Sequence, residues 1–81
     1  MLLHRRIAKD YLKHQDRPTF LEIVYKSKVT PTQRDILYHD ILDRMDHQDI
    51  GDIVGLTENS VNHEVGKAYD LIYHYISNTL F

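Results

Sequence analysis

Residues 49–65, DIGDIVGLTENSVNHEV, gather side chains whose chemistry is hydrogen bonding at a surface. Asn59 and Asn62 each offer a donor and an acceptor, Glu58 accepts, and His63 does either according to its protonation. The segment holds four carboxylates and no lysine or arginine, so an anionic partner met here must be gripped by cations from elsewhere in the chain. Bond-making chemistry has fewer candidates. None of the six histidines stands four residues from another and there is no cysteine, so no pair has metal-ligand spacing and exposed helix positions account for them. There is no glycine-rich phosphate loop. Short helices in an 81-residue chain leave little room for a pocket holding a nucleophile with its base. The expectation is a protein that binds without catalysing, with neither metal nor cofactor.

The elements that must position these residues are bounded by size. A single domain of this length buries only about 60% of the surface its unfolded chain exposes, and without cysteines no disulfide or thiolate site supplements the core. The longest apolar runs are three residues, too short for a membrane span or the apolar part of a signal peptide, so the expected location is cytoplasmic. Charge is segregated. Residues 1–34 carry eight Lys/Arg against three Asp/Glu, and residues 35–81 carry two against nine. The halves can neutralise each other in the fold, or the basic half can serve a partner.

Helical periodicity runs through the whole chain and no sustained alternating pattern interrupts it. Leu3, Ile7, Tyr11 and Leu12 mark a stripe on a basic first helix. Pro18 biases Arg17 away from helical geometry, and Thr19 with Glu22 makes a capping box for a helix over about residues 20–27 that carries Phe20, Ile23 and Val24. Thr30, Pro31 and Gln33 then give a cap, a first-position proline and a second box, followed by a stripe of Ile36, Leu37, Ile41 and Met45. Asp46 caps a short helix with Ile50, Ile53 and Val54 inward and Gly55 at its left-handed end. Thr57 caps the last helix, along which Val61, Val65, Ala68, Ile72 and Ile76 recur. The predicted fold is all-α, a small bundle of about five helices in one domain spanning residues 1–81: basic N-terminal helices over 1–29, then a helix-turn-helix over 30–81 with a long C-terminal recognition helix.

The helix-turn-helix reading rests on Ile50, Gly51, Gly55, Leu56, Thr57 and Val61. Glycine inside an exposed helix costs roughly 1 kcal/mol against alanine, so Gly51 implies close approach of another backbone. Two helices crossing steeply over a tight turn require that approach, a glycine in the turn and apolar residues on both sides.

The run from Thr30 to Ile72 resembles region four of bacterial sigma factors, the C-terminal promoter-reading domain, and the related LuxR/GerE-type domains. Thr30, Pro31, Gln33, Arg34, Ile36 and Leu37 match the opening of those domains. Asp49, Ile50, Gly51, Val54, Gly55, Leu56, Thr57, Ser60 and Val61 match their E-I-A-x-x-L-G-I-S-x-x-T-V core. The resemblance implies that the helix after the turn enters the major groove of double-stranded DNA, with Glu58, Asn59, Asn62 and His63 toward base edges and Ser60, Lys67 and Arg34 toward phosphates. Asn pairs donor and acceptor with adenine, and Glu accepts from the cytosine amino group. The sequence departs from the family in its charge. Only Lys67 remains of the usual cations on this helix, while Asp49, Asp52, Glu58, Glu64 and Asp70 would repel a duplex. Arg5, Arg6, Lys9, Lys13, Lys26 and Lys28, or a second subunit, must then supply the grip. Glu58 is also explained by the helix dipole.

Two functions follow as expectations. The first is a sequence-specific transcription regulator, acting with RNA polymerase or as a homodimer through the C-terminal helix, whose tail adds Tyr69, Tyr73, Tyr75, Leu80 and Phe81 to its apolar surface. The second is an adaptor or inhibitor that binds RNA polymerase or another regulator through the acidic face, without DNA.

Overall fold

At 1.5 Å per residue the 22 residues of the last helix extend about 33 Å, nearly the full 35 Å length of the molecule. The computed structural model describes residues 2–79, so Leu80 and Phe81 lie outside the described residues. Five helices form: α1 (Leu3–Lys13), α2 (Arg17–Lys26), α3 (Pro31–Leu37), α4 (His47–Val54) and α5 (Glu58–Thr79), with α3 running on into one wide π turn, Tyr38–Leu42. Among the described residues there is no strand, and no helix is long and apolar enough to cross a membrane. Helices α1 to α4 all pack against α5. Its stripe of Val61, Val65, Ala68, Ile72 and Ile76 is buried throughout, joined by Tyr69. Ala8 and Leu12, Phe20, Ile23 and Val24, Ile36 and Leu37, and Ile50 complete one core.

Most helix starts follow the local chemistry. The Thr30 hydroxyl accepts from the Gln33 N–H at 3.1 Å, and the Gln33 side chain accepts from the Thr30 N–H at 3.0 Å. Two orphan donors of the first turn are thereby satisfied. Asp46 accepts from the Asp49 N–H, and Thr57 from the Ser60 N–H.

Four expectations are corrected. Helix α2 begins at Arg17, capped by Asp16, which accepts from the Thr19 N–H at 2.9 Å. Pro18 falls in the first turn, where a missing N–H costs nothing, and Asp16 supplies the cap expected of Thr19. On α1 the buried residues are Ala8 and Leu12, whereas Leu3 is 72% and Ile7 38% exposed. The helix is turned about a quarter turn from its predicted stripe, because its His4 and Arg5 edge finds a carboxylate on α5. On α4, Ile53 is exposed; seating Gly51 in the interface turns Ile53 outward. Finally, α3 does not continue as a regular helix to Met45, since the π turn intervenes and leaves Ile41 and Met45 only partly buried.

Candidate nucleic-acid interface

The geometry of the α4–α5 junction starts from Gly51. Its carbonyl accepts from the N–H groups of both Gly55 and Leu56 at 2.9 Å, closing the end of α4 while Gly55 adopts φ 78°. A Cβ on Gly51 would clash with the Leu56 carbonyl oxygen, well inside van der Waals contact distance. The close backbone approach read from the sequence is therefore the chain folding back over its own turn. Leu56 packs against the core from the turn, Ile50 and Val61 are fully buried on its two sides, and α5 leaves the junction along a fixed direction.

Glu58, Asn59, Asn62 and His63 all lie exposed on the first two turns of α5. Advancing 100° per residue puts the four on one face. Three of them make no side-chain hydrogen bond within the described residues. Asn62 does: its Oδ1 meets Nδ1 of His47 on α4. The other ring nitrogen of His47, Nε2, lies 3.2 Å from Oδ1 of Asp40, whose Oδ2 accepts from the Tyr69 hydroxyl at 2.6 Å and lies 3.5 Å from the Lys9 ammonium. Asp40 and Tyr69 are both buried. Burial first, then the facing Asp40 carboxylate, push the Tyr69 phenol far above its ordinary range, so it remains a donor. The chain Tyr69–Asp40–His47–Asn62 thus runs from the core to the exposed face.

The phosphate-facing candidates divide into two groups. Arg34 is exposed, 3.9 Å from Asp35. Lys67 is exposed, 4.0 Å from Glu64, and Glu64 accepts from Gln33 Nε2 at 3.0 Å, which joins the start of α3 to the second turn of α5. Ser60 is half-buried and its hydroxyl accepts from Thr57. Arg6 and Lys13 are exposed and make no ion pair among the described residues. Arg5 instead clamps Asp70 with two parallel bonds, Nε to Oδ1 at 2.8 Å and Nη2 to Oδ2 at 2.9 Å, and His4 Nε2 meets the same carboxylate at 2.5 Å. The Arg5 bond, then that of His4, hold Asp70 below the usual carboxylate range against the opposing effect of burial. Asp70 lies about 15 Å along α5 from the turns that carry the base-facing candidates. Lys26 pairs with Glu22 at 2.8 Å, and with Lys28 lines a groove beside His74 and Asn78, about 20 Å away. Of the N-terminal cations proposed as a grip, Arg5, Lys9 and Lys26 are engaged within the fold, and Lys26 and Lys28 sit at the wrong end of α5. Charge neutralisation between the two halves accounts for Arg5 and Lys9.

Comparison of the chain with protein-family models, with curated proteins and with solved structures finds no match.

Three participants were not identified as such from the sequence. Asp40, His47 and Tyr69 form the bonded chain behind Asn62, yet they are separated by up to 29 residues. Arg44 is a further exposed cation. It lies with Lys9 and Lys13 along one cleft of about 600 Å³ between α1 and the π turn, with its backbone at φ 55°. Its signal in the sequence is only that it is one of two cations in the acidic half. Among the described residues no cluster of three or more His, Asp or Glu is arranged to hold a metal ion. The apolar surface expected along the tail receives α1 and α2: Tyr69 is core, and Tyr73 packs edge-on against His4 at 5.5 Å.

Proposed function

We propose that the protein is a sequence-specific DNA-binding regulator that reads the major groove with the first two turns of α5. The observation that carries this reading is the α4–Gly55–α5 junction, which presents Glu58, Asn59, Asn62 and His63 on one exposed face. Those side chains supply the donors and acceptors that base edges recognise. Arg34 and Lys67 are exposed on α3 and α5, and Arg6, Lys13, Arg17 and Arg44 are further exposed cations for the backbone of the duplex or for RNA polymerase. A second copy of the chain would double the contacts.

A mixed-sequence duplex titrated across a salt series tests the reading. Affinity should fall steeply with salt, and Lys67→Ala should reduce the slope of log K against log salt by about 1, the share of one phosphate. Asn59→Ala should weaken binding to the preferred sequence.

A second reading is favoured by the exposed Asp49, Asp52 and Glu58 around the junction, together with the internal engagement of Arg5 and Lys9. On that reading the same face binds a basic surface of RNA polymerase or of another regulator, without DNA. Absence of duplex binding at low salt would select it.

A further inference from the structure

Among the described residues, Asn62 alone of the four base-facing candidates is tied to another side chain, and its partner is an imidazole whose opposite nitrogen is already assigned. His47 Nε2 faces an oxygen of Asp40, and a carboxylate oxygen has no proton to give, so Nε2 carries hydrogen whether the ring is neutral or cationic. Nδ1 is therefore where the ring gains or loses its proton. It is N–H in the imidazolium and a lone pair in the neutral ring. Asn62 can answer either state by rotating its amide half a turn, giving its oxygen to an N–H or its NH2 to a lone pair.

We propose that His47 sets the hydrogen-bonding sign that Asn62 presents to DNA. The cationic ring holds the Asn62 carbonyl and leaves the amino group outward; the neutral ring holds the amino group and leaves the carbonyl outward. This rests on the reading of α5 as the base-reading helix. An outward amino group suits guanine, which shows two acceptors in the major groove, and an outward carbonyl suits the amino donor of cytosine or adenine. With one face of the amide always committed to His47, Asn62 cannot make the two-bond pair with adenine open to a free asparagine. Base preference at one position then depends on the protonation of the His47 ring, and so on pH.

The groups around the switch are few. From the π turn, Asp40 faces Nε2. Behind it stand Lys9 of α1, 3.5 Å from Oδ2, and the Tyr69 hydroxyl of α5. On α4, Asp46 spends its Oδ1 on the Asp49 N–H. His63 and Glu58 are exposed neighbours of Asn62 on α5, and His63 is a second imidazole on that face, so it needs a control. His47→Gln is the informative variant. Its amide N–H can serve Asp40 while its carbonyl accepts from the Asn62 amino group, which fixes the neutral-ring arrangement at every pH.

Two measurements on the full chain test the proposal. In the free protein, the Asn62 side-chain amide and the His47 ring nitrogens are followed by NMR from pH 5 to 8. They should share one midpoint, also in His63→Gln, and the Asn62 signals should become flat with pH in His47→Gln. A pool of random-sequence duplexes is then selected at pH 5.5 and at pH 8.0 at one low salt concentration. At one position the preference should move from guanine toward cytosine or adenine, with relative enrichment changing roughly fivefold, the worth of one net hydrogen bond. His47→Gln should give the pH 8.0 preference at both values. An Asn62 amide that ignores the His47 titration, an unchanged base preference, or a pH shift surviving in His47→Gln overturns the proposal. Recovery of no duplex at either pH overturns the DNA reading and the base preference with it, and the NMR titration separates that result from a failure of the His47–Asn62 exchange.

Discussion

The start and the middle of α5 are seated on glycines in opposite ways. Near its start, α5 meets α4 through backbone: Gly51 lies against the Leu56 carbonyl, and nothing there can yield without moving the turn. Farther along, α5 meets α1 through side chains: Gly66 lies under the Arg5 guanidinium, the flexible end of a long side chain that goes on to clamp Asp70. The first contact fixes a direction, and the second holds a charge. This difference explains how a basic α1 packs on an acidic α5 while the angle at which α5 presents Glu58, Asn59, Asn62 and His63 is set independently of charge.

Substitutions can break this contrast. Gly51→Ala should cost the most, about 3 kcal/mol in a denaturant melt, because the added methyl meets a fixed carbonyl and overpacking at a rigid site is poorly relieved. Tyr69→Phe comes next, at about 2 kcal/mol, the scale of a hydrogen bond to a charged acceptor, since it removes the 2.6 Å donor to Asp40 three residues beyond Gly66. Gly66→Ala should change stability by less than about 1 kcal/mol, because the gain in helix propensity offsets displacement of Arg5. A Gly66→Ala loss as large as that of Gly51→Ala would abolish the contrast.

Asp70→Asn should act through pH. Folding holds the Asp70 carboxyl below its ordinary value of 3.8, so the folded state binds fewer protons there than the unfolded one. Its contribution is complete above that value and is lost as pH falls through the lowered folded one. The wild type should therefore lose stability below pH 4 more steeply than Asp70→Asn, as read by melts from pH 2 to 6.

The same contrast marks what the sequence reveals. Thr30 with Gln33, Asp46, Gly51, Gly55 and Thr57 were legible because caps and turns act over three to five residues and demand particular side chains. The stripe of α5 was legible because a long helix averages its periodicity over many turns. The seating of α1 was not, since Leu3 and Ile7 outweigh Ala8 in hydrophobicity while the partner that decides the matter, Asp70, lies 65 residues away from Arg5. The exposed faces of Glu58, Asn59, Asn62 and His63 followed from their place after the turn. The commitment of Asn62 to His47, and the Asp40–Tyr69 bond behind it, required packing that no local pattern encodes.

The proposed base-reading role of the start of α5 is tested most directly by mapping backbone amide shifts as a mixed-sequence duplex is added at low salt. Perturbations should centre on Glu58, Asn59, Asn62 and His63, extend to Arg34 and Lys67, and disappear as salt is raised. A spectrum unchanged by duplex at low salt, or perturbations confined to Arg6 and Lys13 on α1, would contradict it.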